Sequence, residues 1–93
     1  RATEGNVSVS SNVTLTDRRI HFVDTSAART LTLPAPSATL YLVLKDVTGS
    51  AATNNVTINP AGAQTIDGAS SLVMDAPYQA VTVVSDGTNY YVI

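Results

Sequence analysis

The sequence predicts an all-β fold: a small sandwich-like, prism-like or β-helix-like domain of short, mostly antiparallel strands. Three observations predict it. Apolar and polar residues alternate with period two in one stretch after another. Turn residues punctuate those stretches roughly every 8–12 residues. No run of about ten residues carries the i, i+3, i+4 apolar spacing of an amphipathic helix.

Each element follows from its own residues. Val7 and Val9 face one way, and Ser8 and Ser10 the other. Val13 and Leu15 alternate with Thr14 and Thr16. Ile20-His21-Phe22-Val23 is mostly apolar on both sides. Leu31 and Leu33 alternate with Thr30 and Thr32, and Pro34 and Pro36 end that strand because proline donates nothing to an interior ladder. Leu40-Tyr41-Leu42-Val43-Leu44 is apolar on both faces, so it reads as a central strand or one covered by a second subunit. Residues 48–55 form a polar loop. Val56 and Ile58 alternate with Thr57 and Asn59, and Asn59-Pro60-Ala61-Gly62 turns the chain. Asp67-Gly68-Ala69-Ser70 is a second turn, and Val81 and Val83 flank Thr82 in the strand that follows. Asp86-Gly87-Thr88 closes a last hairpin, whose second strand is Asn89-Tyr90-Tyr91-Val92-Ile93.

Composition limits the function. The 93 residues read as one domain, with a core that is small by itself. Its apolar residues are chiefly Val and Ala, with one Phe, one Met and no Trp. Net charge is −2, and of the five basic residues only Arg18 and Arg19 adjoin, which argues against a nucleic-acid surface. There is no cysteine, hence no disulfide framework or thiolate metal site. No apolar run reaches membrane-spanning length. Ser, Thr and Asn make up 28 of the 93 residues, a polar but uncharged surface suited to an extracellular or virion β-protein. The first residue is Arg, so the chain reads as a processed product or the C-terminal part of a longer one.

No residue set predicts catalysis, a cofactor or a metal. His21 is the only histidine, and Asp24 and Ser26 beside it on one strand cannot converge as a triad requires. Asp24-Thr25-Ser26 is only shallowly similar to the Asp-Thr-Gly of dimeric viral aspartic proteases: Ser26 stands at the glycine position and no second apolar-Gly-Arg motif follows, so a strand ending in an Asx or Ser/Thr turn is the better account. The acidic residues are too dispersed for calcium, and Asp67 and Asp86 read as turn formers. Asn6-Val7-Ser8, Asn12-Val13-Thr14 and Asn55-Val56-Thr57 match the N-glycosylation pattern, which an Asn- and Thr-rich alternating chain produces by itself. Tyr41, Tyr78, Tyr90 and Tyr91 are candidates for stacking on sugars. Tyr78 is the candidate ligand contact, since Pro77 holds it in a turn.

One resemblance goes further. Leu-Thr-Leu-Pro at 31–34, Leu-Lys-Asp-Val-Thr-Gly-Ser-Ala-Ala-Thr-Asn-Asn-Val-Thr-Ile-Asn-Pro-Ala-Gly at 44–62, Gln-Thr-Ile-Asp-Gly-Ala-Ser-Ser at 64–71 and Val-Val-Ser-Asp-Gly-Thr-Asn-Tyr-Tyr-Val-Ile at 83–93 resemble a module of bacteriophage tail-fibre, tailspike, head-fibre and decoration proteins. The resemblance covers residues 31–93, with Tyr91 where that module has an aromatic; residues 1–30 match it weakly. It implies a non-enzymatic virion structural module, forming a homotrimer and contacting other capsid or tail proteins, with no nucleic-acid or membrane partner. Leu40, Leu42, Leu44, Ile58, Ile66, Val83, Tyr90 and Val92 are then the expected core and interface positions. The apolar strand 89–93 is expected to be covered by a subunit contact or to lie in the core. The alternative is a receptor- or glycan-binding fibre tip reading host sugars through loops 48–55 and 67–71 and Tyr78. A viral aspartic protease is the distant alternative.

Overall fold

A computed structural model describes residues 6–16, 20–36 and 40–93. The residues before Asn6, the Asp17-Arg18-Arg19 stretch and Ser37-Ala38-Thr39 lie outside that description. The described residues form nine strands and no helix: β1 (Asn6–Val9), β2 (Val13–Thr14), β3 (Ile20–Val23), β4 (Arg29–Thr32), β5 (Tyr41–Asp46), β6 (Val56–Asn59), β7 (Leu72–Met74), β8 (Ala80–Ser85) and β9 (Tyr90–Val92). β7 is the strand that the sequence pattern did not single out, a three-residue segment, Leu72-Val73-Met74, with no polar residue to alternate with.

The strands make two mixed sheets, one ordered β1-β3-β5-β8-β9 and the other β2-β4-β6-β7. From β1 to β6 the chain visits the two sheets in turn, so successive strands of one sheet run the same way. Four of the seven pairings are therefore parallel: β1–β3, β2–β4, β3–β5 and β4–β6. This corrects the expectation of mostly antiparallel strands. The alternation that marks a strand is the same for both directions, and the turn residues after β1, β3 and β5 carry the chain across to the other sheet instead of back along the same one. Only β5–β8, β6–β7 and β8–β9 are antiparallel. The Asp86-Gly87 hairpin forms as read, with Ser85 opposite Tyr90.

One core draws on both sheets. Inward rows run Val7–His21–Leu44–Val81 and Leu42–Val83–Val92 in the first sheet, and Leu31–Ile58–Leu72 in the second. Of the positions expected in a core or interface, Leu40, Leu42, Leu44, Ile58, Ile66, Val83 and Tyr90 are buried within the single chain, and Val92 packs half-buried against them. Full burial of each such aliphatic side chain contributes about 1.5–3 kcal/mol. The Tyr90 hydroxyl donates to the Pro34 carbonyl, which lets a phenol sit at zero exposure. His21 faces inward and is buried too. β5 is the central strand that its two-sided apolarity predicted, lying between β3 and β8.

The outward faces of the two sheets differ. The second sheet shows rows Thr14–Thr32–Asn59 and Thr30–Thr57–Val73. The first shows Tyr41–Val84–Tyr91 and Ile20–Val43–Thr82, with the Ile93 amide bonded to the Thr82 carbonyl and Phe22 in the next row. On that face Tyr41, Tyr91 and Ile93 are exposed, and Ile20, Phe22, Val43 and Val84 are half-buried.

The free edge of β9 is partly covered from inside the chain. Tyr90 pairs with Ile66, its amide donates to the Thr65 carbonyl at 2.9 Å, and its carbonyl accepts from the Asp67 amide at 3.0 Å. The Val92 amide donates to Asp67 Oδ1 at 3.2 Å.

Candidate functional site

Strand direction brings four connections to one end of the molecule: 10–12, 24–28, 47–55 and 75–79. The residue that organises this end is Asp46. It continues the inward row after Leu42 and Leu44, so β5 delivers a carboxylate, fully buried, to the rim of the core. Five donors meet it. Oδ1 accepts from the Thr25 hydroxyl at 2.7 Å and from the Thr48 and Gly49 amides at 3.1 and 2.9 Å. Oδ2 accepts from the Ala51 and Tyr78 amides, both at 3.1 Å. Burial pushes this carboxyl's pKa up, but the hydrogen bonds from Thr25, Gly49, Tyr78 and Ala51 outweigh it and hold the group down at about 2. A saturated carboxylate of this kind anchors loops and does not transfer protons.

A second layer ties the loops to one another. The Thr25 hydroxyl accepts from the Ser50 amide at 3.0 Å, and Asn54 Nδ2 donates to the Thr25 carbonyl at 2.9 Å. The Thr48 hydroxyl accepts from the Thr25 amide and donates to Asp24 Oδ1, both at 3.2 Å. Asp24 Oδ1 also accepts from the Ser26 amide at 2.8 Å, which is the Asx turn read from Asp24-Thr25-Ser26. The Ser26 bonds come first in holding the Asp24 carboxyl below its usual range. Arg29 Nε donates to the Asp24 carbonyl at 2.7 Å.

Tyr78 stands over this layer. Its backbone is left-handed, at φ 58°. Its amide is held by Asp46, and its carbonyl accepts from the Lys45 ammonium, which lies 5.8 Å from the ring centroid. The ring lies against Gly49, itself at φ 87°; a Cβ there would sit 2.5 Å from the ring carbons. Tyr78 as a whole is 58% exposed.

The other sequence candidates are dispersed. Tyr41 and Tyr91 lie on the outer face of the first sheet, and Tyr90 is in the core. Loop 67–71 is at the opposite end from loop 48–55, beside Tyr90 and Val92, so the two loops proposed to act together do not meet. Asp86 forms its turn by accepting the Thr88 and Asn89 amides, both at 2.9 Å. Asn6, Asn12 and Asn55 are exposed. Among the described residues no group of three or more His, Cys, Asp or Glu is placed to hold a metal ion. Sequence reading missed Asp46, yet a signal existed: it is the acidic residue in phase with Leu42 and Leu44, separated by Val47 alone from a Thr-Gly-Ser turn.

No protein-family model matches the chain, and no curated protein sequence matches it.

Proposed function

We propose that this chain is a non-enzymatic structural module of a bacteriophage particle, a trimeric fibre or a capsid or tail decoration component, whose work is self-association. The motifs at 44–62 and 83–93 support the particle, and one structural observation supports the association. The outer face of the first sheet is an apolar band of Tyr41, Tyr91, Ile93, Val84, Val43, Ile20 and Phe22, whereas the outer face of the second sheet is threonine-rich. Contiguous exposed apolar surface on a small domain marks an interaction site. Three copies around a three-fold axis turn these bands toward one another and leave the threonine faces outward, a prism-like assembly. Burial on that face adds about 25 cal/mol per Å² of apolar surface removed from water.

Sedimentation equilibrium of the chain tests this. The wild type is expected at trimer mass, and Val84→Lys, a charge placed in the middle of the band, at monomer mass with an unchanged circular dichroism spectrum. A monomeric wild type, or a Val84→Lys variant that stays trimeric, overturns the assignment of the interface. Labelling of the parent particle with an antibody to the threonine face then locates the module on head or tail.

A further inference from the structure

The outer face of the second sheet is a regular array. Thr32 stands between Thr14 and Asn59, and Thr30 stands opposite Thr57, on three parallel strands. That register repeats in two directions: about 4.8 Å separates neighbours across the strands, and about 6.6 Å separates alternate residues along them. Neighbouring strands turn by about 20–25°, which displaces the ends of so short a repeat by only about 1 Å. Three features distinguish this array from an ordinary wet face. Among the described residues, no outward position on β2, β4, β6 or β7 is charged, whereas soluble surfaces usually intersperse charges. The Thr25 and Thr48 hydroxyls are taken up by the network around Asp46, but among the described residues no hydrogen bond takes up those of Thr14, Thr30, Thr32 and Thr57. Each threonine is β-branched and stiff about χ1, so hydroxyl and methyl hold their positions before anything binds and little ordering cost remains.

These features select the ligand class. An open sheet face does not enclose a small molecule. Its neutrality gives no purchase on a phosphate, a carboxylate or a cation. It offers no aromatic ring to a sugar, since Tyr41 and Tyr91 lie on the other sheet. The partner that matches is neutral, repeats in two directions and places a hydrogen-bonding oxygen at each repeat. Both spacings of the array lie close to oxygen repeats in a prism plane of hexagonal ice. Water bonded to the hydroxyls in this register is already ordered as the first layer of such a plane, and a bridging water is nearly as good as a direct hydrogen bond. We infer that the threonine face of the second sheet binds ice. This face is on the opposite sheet from the association band and does not depend on it.

The test is slow growth of a single ice crystal in a solution of the fluorescently labelled chain. The crystal is expected to develop prism facets and to take up the label on them. Thr30→Lys and Thr14→Lys each put a long charged side chain into the array at an exposed position, so both are expected to keep the wild-type circular dichroism spectrum and to lose faceting and uptake. If one of them unfolds, the other decides. Val84→Lys, on the other sheet, is expected to keep both readouts, which separates this inference from the association reading. Four outcomes overturn it: wild-type crystals stay round and exclude the label, faceting survives in a folded Thr30→Lys or Thr14→Lys variant, a folded Val84→Lys variant loses it, or the chain is retained by crystalline chitin or cellulose and leaves ice unshaped.

Discussion

Asp46 shows how much one side chain can organise. Its carboxylate joins β5, the Thr25 turn, the 48–51 loop and the turn before β8. Asp46→Ala strands those donors at a buried site, so a loss of about 3 kcal/mol or more is expected in urea unfolding. Asp46→Asn is expected to fall between, because an amide nitrogen at the Oδ2 position faces the Ala51 and Tyr78 N–H groups, donor against donor. The pH dependence has a definite sign. The folded carboxyl sits at about 2 against an ordinary 3.8, so its stabilisation is complete above 3.8 and is lost as pH falls toward 2. Asp24 and Asp86 are lowered in the same direction, chiefly by the Ser26 and Asn89 amides respectively. Urea midpoints measured down that range are expected to fall, and less steeply in Asp46→Asn. At this scale the sequence is only half legible. An inward phase shows that Asp46 faces the core, and the Thr48, Gly49 and Ala51 amides follow it in its own loop, but Thr25 and Tyr78 come from segments that no local pattern connects.

At the scale of elements, strands were legible and their partners were not. Period-two alternation finds β1, β2, β4, β6 and β8 because burial on one face demands it, two-sided apolarity finds β3 and β5, and neither signal tells direction. Parallel pairing arises only because the segments 10–12, 24–28 and 47–55 pass the chain between sheets, a choice made by long-range packing. Tight turns are read better, since their chemistry is local. Asp86 accepts the Thr88 and Asn89 amides while Gly87 takes φ 96°, so Asp-Gly here has a specific backbone requirement. Gly87→Ala is expected to cost about 1 kcal/mol in thermal unfolding, with amide shifts confined to 85–92. The candidate site is the converse case. Tyr78 was legible as a turn aromatic after Pro77, but its strained backbone and the Gly49 cradle exist only once β5 and β8 have paired.

For the whole molecule, the distinction that matters is between facing in and facing out. Leu42 and Val84 lie on neighbouring strands of one sheet, but Leu42 is fully buried in the protomer and Val84 lies on the outer face. Leu42→Asp is expected to unfold the chain itself, with loss of the β spectrum, because a buried unpaired carboxylate costs several kcal/mol. Val84→Lys is expected to leave the fold intact and change only the sedimentation mass. A Leu42→Asp variant that remains folded as a monomer contradicts this division of labour.

The alternating visits to the two sheets also affect how the protein is made. Neither sheet can be completed from a contiguous stretch: β5 waits for β8, so Tyr41 finds Val84 only after β6 and β7 have been synthesised. A chain whose neighbours are mostly distant in sequence matures slowly. During that interval the band destined for the outside of the first sheet is exposed on incomplete molecules, so the nascent polypeptide is most vulnerable to mispairing just before its last three strands leave the ribosome.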